Sequence, residues 1–244
     1  MKKFISALMI GTIALALTSC SDDDDKNSGS ITKPSYVITH ITYPRDVYTT
    51  ENVEINYDSQ GRITGSRGGY FGWTDFSYSY SEDKILCSVP GEDNTTFNLS
   101  EGLVANFGSE GKIKYTYSYN GRELKDLGWV GSDYYSLIWS NGLIVSYSDD
   151  EGETENIEYA DINGINKDAA KTVNAILISD EIEDEYPWTL AINGYMGTVP
   201  ERPISKIGTT QISYGTLDGN GCPSSYTIKD QYEEKTYNLT WKKL

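Results

Sequence analysis

Lys112-Ile113-Lys114-Tyr115-Thr116-Tyr117-Ser118-Tyr119-Asn120-Gly121-Arg122 is the stretch whose reading decides the fold. Ile113, Tyr115, Tyr117 and Tyr119 alternate with Lys112, Lys114, Thr116 and Ser118, and successive side chains of a strand point to opposite faces. The stretch therefore predicts a half-buried strand with one aromatic and one wet face. Asn120-Gly121 then supplies the positive φ values that a tight hairpin turn requires. Val53, Ile55 and Tyr57 against Glu54 and Asn56, and Phe76, Tyr78 and Tyr80 against serines, repeat the pattern upstream. Tyr237, Leu239 and Trp241 repeat it at the end of the chain. One apolar and one polar face per strand is the habit of antiparallel sheets; buried parallel strands are apolar on both faces.

The turns between strands share a grammar. Tyr57 to Ile63 and Phe107 to Ile113 have the same spacing of aromatic, glycine, basic and aliphatic residues, which reads as an internal repeat. Trp139-Ser140-Asn141-Gly142-Leu143 is a shorter version, and Asp218-Gly219-Asn220-Gly221 another turn. Hairpins recurring at short intervals predict a meander in which sequence neighbours pair. Because sheets twist, a long meander must curl or be covered by another layer. The expected fold is all-β, an antiparallel β-meander curled into an open or partial barrel, with one short helix around residues 168–179. That helix is read from Ala169, Ala170, Val173, Ile176 and Leu177 behind Asp168 as N-cap, and it is expected to plug or flank the sheet. An acidic loop, Asp180 to Glu185, and Tyr186-Pro187-Trp188 follow it.

The start of the chain has a different character. Lys2 and Lys3 precede a nearly unbroken apolar stretch from Phe4 to Leu17, and Leu17-Thr18-Ser19-Cys20 closes it. This is the layout of a secretory signal peptide, and its ending matches the lipobox of bacterial lipoproteins, in which the cysteine is diacylated and becomes the new N-terminus. A membrane-spanning helix would need roughly twenty apolar residues, more than this stretch offers. Residues 1–19 are therefore expected to be a signal peptide, residues 20–34 a lipidated Cys20 with an acidic tether, and residues 35–244 one all-β domain. Asp22 to Asp25 with Lys26 form a dense acidic run directly after Cys20. It reads either as a hydrated tether or, through its resemblance to the acidic export tag of Bacteroides-type surface lipoproteins, as a sorting signal.

The charge is −16 over 244 residues, and −18 once Lys2 and Lys3 are lost with the signal peptide. Such a surface repels phosphate backbones and anionic headgroups, which excludes nucleic acid as a partner. Cys87 and Cys222 are the two cysteines after Cys20, too few for a cysteine-based zinc cluster, and they are either one disulfide or two buried thiols. His40 is the single histidine and sits at a strand-like position without a nucleophile motif around it. No catalytic residue, metal or cofactor is assigned. Paired carboxylates remain the one catalytic option, since a glycoside hydrolase needs only two acids facing across a cleft. The acidic clusters at Asp149 to Glu151 and Asp180 to Glu185 lack the ligand spacing of a calcium loop and read as solvated turns.

The aromatic-Asp-x-x-Gly-Arg-Ile hairpins are similar to YD-type repeats. Trp139-Ser140-Asn141-Gly142-Leu143-Ile144-Val145-Ser146-Tyr147, together with the lipobox and acidic tag, resembles an uncharacterised lipoprotein family of Bacteroides-type bacteria, a domain of unknown function with a porin-like fold. The resemblance covers roughly Val37 to Trp241 and implies fold and location; it brings no functional residues. It does not imply a pore, because a membrane barrel needs an apolar outer band and the outward positions here include Glu54, Lys114, Glu158 and Lys242. The expected function is a non-enzymatic, outer-membrane, surface-exposed binding or adhesion module for glycan or protein, held to the membrane through the lipid on Cys20. The alternatives are a carrier of an apolar ligand inside the curved sheet and, third, the carboxylate hydrolase. The ligand-binding candidates are Tyr70, Phe71, Trp73 and Asp75 in a glycine-flanked loop, whose rings either meet a ligand or fold onto the core, and Tyr186 and Trp188 behind the acidic loop.

Overall fold

In a computed structural model, residues 33–45, 48–68, 75–131, 134–149, 151–182 and 187–244 are described. Cys20 and the whole signal and tether region lie outside them. Sixteen strands, β1 (Tyr36–Pro44) to β16 (Glu234–Lys243), pair with their sequence neighbours in antiparallel fashion. The meander is as expected, but it is a closed barrel and not an open or partial one. β1 pairs with β16, Ile38 opposite Trp241 and Ile41 opposite Leu239. Closure pairs the two strands that an open sheet would leave as unpaired edges.

The alternating pattern sets which face looks inward. Val53, Ile55, Tyr117, Leu137, Tyr237 and Leu239 are buried in one core, whereas Glu54, Ser118, Asn238 and Thr240 are exposed. The barrel is thus apolar inside and polar outside, the reverse of a membrane barrel. Among the described residues no helix is long and apolar enough to cross a membrane.

The interior is filled by the chain itself. Between β12 (Thr154–Tyr159) and β13 (Ile204–Ile207) runs α1 (Lys167–Glu181), followed by a short second helix, α2 (Trp188–Ala191). From Thr172 to Ile178 every residue of α1 is buried, which happens only when a helix is surrounded on all sides. The helix is longer than expected and its cap is Asn166, not Asp168. The Asn166 side chain accepts from the N–H groups of Asp168 and Ala169, and this frees the Asp168 carboxylate to accept from the N–H of Ser35. Asn174, fully buried, donates to the carbonyls of Pro200 and Arg202 and accepts from the N–H of Ile204, so the helix is pinned to the returning chain.

Antiparallel order sends alternate turns to opposite rims. The near rim carries both ends of the barrel, where the Leu244 N–H donates to the Ser35 carbonyl at 3.1 Å. It also carries the turns after β2, β4, β6, β8 and β10 and the start of α1. The far rim carries the intervening turns and the C-terminal end of α1.

A recurring device closes the near rim. Where β8 (Lys112–Asn120) meets β9 (Glu123–Trp129), the register slips by one residue, with Tyr119 opposite Leu124 and Ser118 opposite Asp126. Such a bulge disrupts the ladder and leaves a carbonyl in need of a partner. The Leu124 carbonyl receives the indole N–H of Trp139 at 2.7 Å. Trp139 in turn stands opposite the next bulge, whose Ile144 carbonyl receives the Tyr159 hydroxyl at 2.9 Å. The same clasp joins Tyr57 to the Ile38 carbonyl, Tyr80 to Ile63, Tyr119 to Val104 and Tyr214 to Ile204. Burial holds the phenols of Tyr119 and Tyr159 above their ordinary pKa, so they stay protonated and able to donate.

The expected repeat between Tyr57–Ile63 and Phe107–Ile113 is one of spacing only, since its two copies sit at opposite rims. In the first, Asp58 closes the turn by accepting from the N–H groups of Gln60 and Arg62 and pairing with the Arg62 guanidinium at 2.7 Å, and Ile63 is fully buried. The second is a tight turn at Glu110-Gly111, with φ of 51° and 74°. A bulge beside it flips Ile113 off the aromatic face to the outside, where it is 53% exposed. A side chain at Gly108 would collide with the Lys112 carbonyl, so this bulge requires glycine there.

Candidate functional site

Seven large hydrophobic residues are exposed among the described residues, and four of them lie on neighbouring strands at one end of the barrel: Ile113, Trp129, Val130 and Tyr134. They belong to β8, β9, β10 (Tyr134–Ser140) and the turn between the last two, at and below the far rim. Local backbone rules put them there. The bulge after Phe107 turns Ile113 outward, and Tyr134 lies opposite Gly128 on the outer face. Trp129 lies opposite Tyr115 on the inner face, at the lip.

The inner side of this ridge is a ladder of rings. Phe107 stacks on Tyr115 with centroids 4.4 Å apart and planes 15° from parallel, and Trp129 meets Tyr115 edge-on at 4.9 Å. Phe97 and Tyr78 continue the ladder into the core. Cross-strand aromatic pairs of this kind stiffen a sheet. Here they also hold Trp129, 42% exposed, on a rigid base. Exposed Lys112 and Lys114 flank the ridge on β8, and Asp126 sits below it, accepting from the hydroxyls of Ser118 and Ser136 at 2.9 and 2.8 Å. A fixed aromatic edge with polar groups beside it suits stacking on a sugar face or anchoring in a protein pocket.

The residues singled out from the sequence are placed differently. Tyr70, Phe71, Trp73 and Tyr186 lie outside the described residues. Asp75 accepts a hydrogen bond from the Gly68 N–H at 2.7 Å, which ties the end of β3 (Ile63–Arg67) to the start of β4 (Phe76–Tyr80). Trp188 is 6% exposed and belongs to the core, so its ring packs inside the barrel instead of facing a ligand. Nothing in the sequence pattern marks Trp129, Val130 and Tyr134, which sit beside a turn where strand alternation breaks off. Tyr115 stands on the aromatic face that strand alternation predicts; its second role, as the base for Trp129, depends on a cross-strand partner fourteen residues away.

The remaining chemistry is sparse. Asp180 and Glu181 end α1 at the far rim. Their carboxyls are raised above the ordinary range chiefly by desolvation, with Lys235 opposing the shift at Asp180 and the Tyr147 hydroxyl, 3.0 Å away, opposing it at Glu181. They are consecutive on the helix and turn to different walls, Asp180 toward Lys235 and Glu233, Glu181 toward Tyr147 and Glu155. The void beside Glu181 has no room for a water molecule. This is not the opposed pair across a cleft that glycoside hydrolysis needs. At the near rim Glu201 is held below its ordinary pKa by hydrogen bonds from Lys167 and Lys171, the wrong direction for a general acid. Cys87 and Cys222 are both unpaired, and burial pushes each thiol up to about 11. Among the described residues no group of three or more histidines, cysteines or acids is arranged to hold a metal ion.

No family model matches the chain, and no curated protein does. Solved structures do. A porin-like protein from Bacteroides uniformis ATCC 8492 superposes with a TM-score of 0.64 at 17% identity, over 86% of this chain and 100% of its own. A porin-like protein from Bacteroides vulgatus ATCC 8482 superposes with a TM-score of 0.56 at 15% identity, over 85% of this chain and 99% of its own. The chain therefore shares the barrel fold of porin-like proteins from Bacteroides.

Proposed function

We propose that this protein is a lipid-anchored surface lipoprotein of the outer membrane, a non-enzymatic module that captures extracellular glycan or protein through the ridge around Trp129. The observation that carries the reading is the position of the ridge. The exposed apolar residues gather at the far rim, while the chain enters the barrel from the tether at the near rim. A module held by Cys20 would thus carry its sticky edge on the side away from its anchor. Isolated exposed hydrophobics are ordinary; several gathered at the lip of one rim, beside Lys112, Lys114 and Asp126, mark an interaction surface. The acyl chains on Cys20 supply the membrane attachment, so the barrel wall has no need to be apolar. The carrier alternative needs a large apolar cavity, and the described interior is filled by α1, α2 and aromatic side chains instead.

The test is a glycan array and a pull-down with the exported chain, beside Trp129→Ala and Tyr134→Ser. Truncating an aromatic anchor at the centre of an interface costs about 2 kcal/mol or more, roughly thirtyfold in affinity. Binding that survives both substitutions at full strength would remove the ridge from the account. Protease shaving of intact cells tests location separately: digestion of the domain is expected, and protection until the outer membrane is opened would refute surface display.

A further inference from the structure

At the near rim lies a cleft of about 490 Å³, walled in part by Pro34, by Arg122 from the turn after β8, and by Lys171, Glu201 and Arg202. Its charge is unlike that of the chain as a whole. Arg122, Lys171 and Arg202 line it against Asp168 and Glu201, three cations to two carboxylates. The chain as a whole carries −16. Most of these groups hold one another. Lys167 and Lys171 share Glu201, each at 2.8 Å, Arg202 pairs with Asp161 at 3.1 Å, and Asp168 accepts from the N–H of Ser35. Arg122 is the exception: its guanidinium donates to the Gly194 carbonyl at 2.8 Å and has no carboxylate partner among the described residues.

We propose that this cleft is the docking site of the chain's own acidic run, Asp22 to Asp25. Two observations choose that occupant over an outside anion. The first is complementarity, since the sequence's densest negative charge is matched by a cleft lined by more cations than carboxylates, one of which, Arg122, has no carboxylate partner among the described residues. The second is connection. Asp25 is eight residues from Lys33, a span of at most roughly 29 Å fully extended, and Pro34 is itself part of the cleft wall. A short link of this kind gives a local concentration on the order of millimolar, so weak pairing with Arg122 and Arg202 suffices. Docking shortens the tether and holds the near rim toward the attachment point. That orientation rests on reading Cys20 as the lipid anchor; the docking itself does not.

The sequence contains its own probe. Asp22-Asp23-Asp24-Asp25-Lys26 is the recognition sequence of enteropeptidase, which cuts after the lysine and needs the aspartates free. The exported chain from residue 20, with Cys20→Ser to keep it in solution, is digested beside a free peptide of residues 20–32. Cleavage after Lys26 is expected to be slower in the protein than in the peptide by about tenfold at low salt, to recover in Arg122→Gln/Arg202→Gln, and to recover in wild type at 0.5 M salt, a concentration at which exposed charges are largely screened (~0.5 M). The salt arm keeps the test valid if the double variant folds poorly, and each rate is normalised to the peptide under the same conditions. Equal rates in protein and peptide would overturn the proposal. So would protection that neither salt nor the substitutions relieve, and so would a cleft that binds added inorganic phosphate while Lys26 is cut as fast as in the free peptide.

Discussion

At the near rim Tyr119, Trp139 and Tyr159 turn their polar tips onto bulge carbonyls, so each ring joins two hairpins; at the far rim Trp129 leans edge-on against Tyr115 with 42% of its surface in water. The carboxylates divide in the same way. Asp58, Glu201 and Asp218 at the near rim are held below their ordinary pKa by N–H groups and cations that outweigh any burial. Asp180 and Glu181 at the far rim are raised. Asp230, also at the far rim, is lowered by the backbone N–H groups of its own turn, so the division belongs to the groups around α1 and not to every turn. The near rim thus uses its aromatic tips for hydrogen bonds between hairpins, whereas the far rim leaves an aromatic edge in water.

Paired substitutions can break this contrast, and the largest effect is expected from the two isoleucines of the spacing repeat. Ile63→Ala should destabilise by about 3 kcal/mol as a buried deletion, while Ile113→Ala should stay within about 0.5 kcal/mol as an exposed one. Urea unfolding of both variants decides this, and similar costs would mean that Ile113 also faces the core. Next in size is Tyr119→Phe. It removes one oxygen and leaves the buried Val104 carbonyl unpaired, for a loss of about 1–2 kcal/mol; a cost near zero would show that the clasp is incidental. The smallest effect concerns pH. A carboxyl raised in the folded state keeps its proton where the unfolded chain has lost it, so the stability it contributes is present at low pH and falls as pH rises through the folded value. Asp180→Asn with Glu181→Gln should therefore raise the unfolding temperature at pH 7, and the gain should vanish as pH falls toward 4. Asp58→Asn should do the reverse, lowering stability at pH 7 with the deficit closing on acidification. A pH-independent offset in both variants would contradict the assignment of these groups to opposite regimes.

Strand faces were legible in the sequence because alternation is local: Val53, Ile55, Tyr117, Tyr237 and Leu239 all point inward as their spacing requires. Closure was not legible. It depends on Ile38 meeting Trp241 across some two hundred residues, and no periodicity reports whether the ends of a meander touch. The near-rim clasps did leave a trace. Leu99, Tyr119, Trp139 and Tyr159 recur every twenty residues, and Val104, Leu124 and Ile144 keep step with them. That period is a better sign of repetition than the turn spacing, which grouped Ile63 with Ile113 although a bulge reverses one of them. The ridge was the least legible part. Trp129 and Val130 lie where a strand gives way to a turn, and a pattern of two cannot say on which side of the wall such residues emerge.

This barrel is packed inside and wetted outside, the opposite of the arrangement of a membrane-spanning channel. The direct test is to produce residues 20–244 with Cys20→Ser in detergent-free buffer and follow far-ultraviolet circular dichroism through heating. A β-rich spectrum with one cooperative transition, and no conductance when the protein is added to a planar bilayer, is the predicted result. Folding that requires detergent or lipid, or discrete conducting channels, would contradict it.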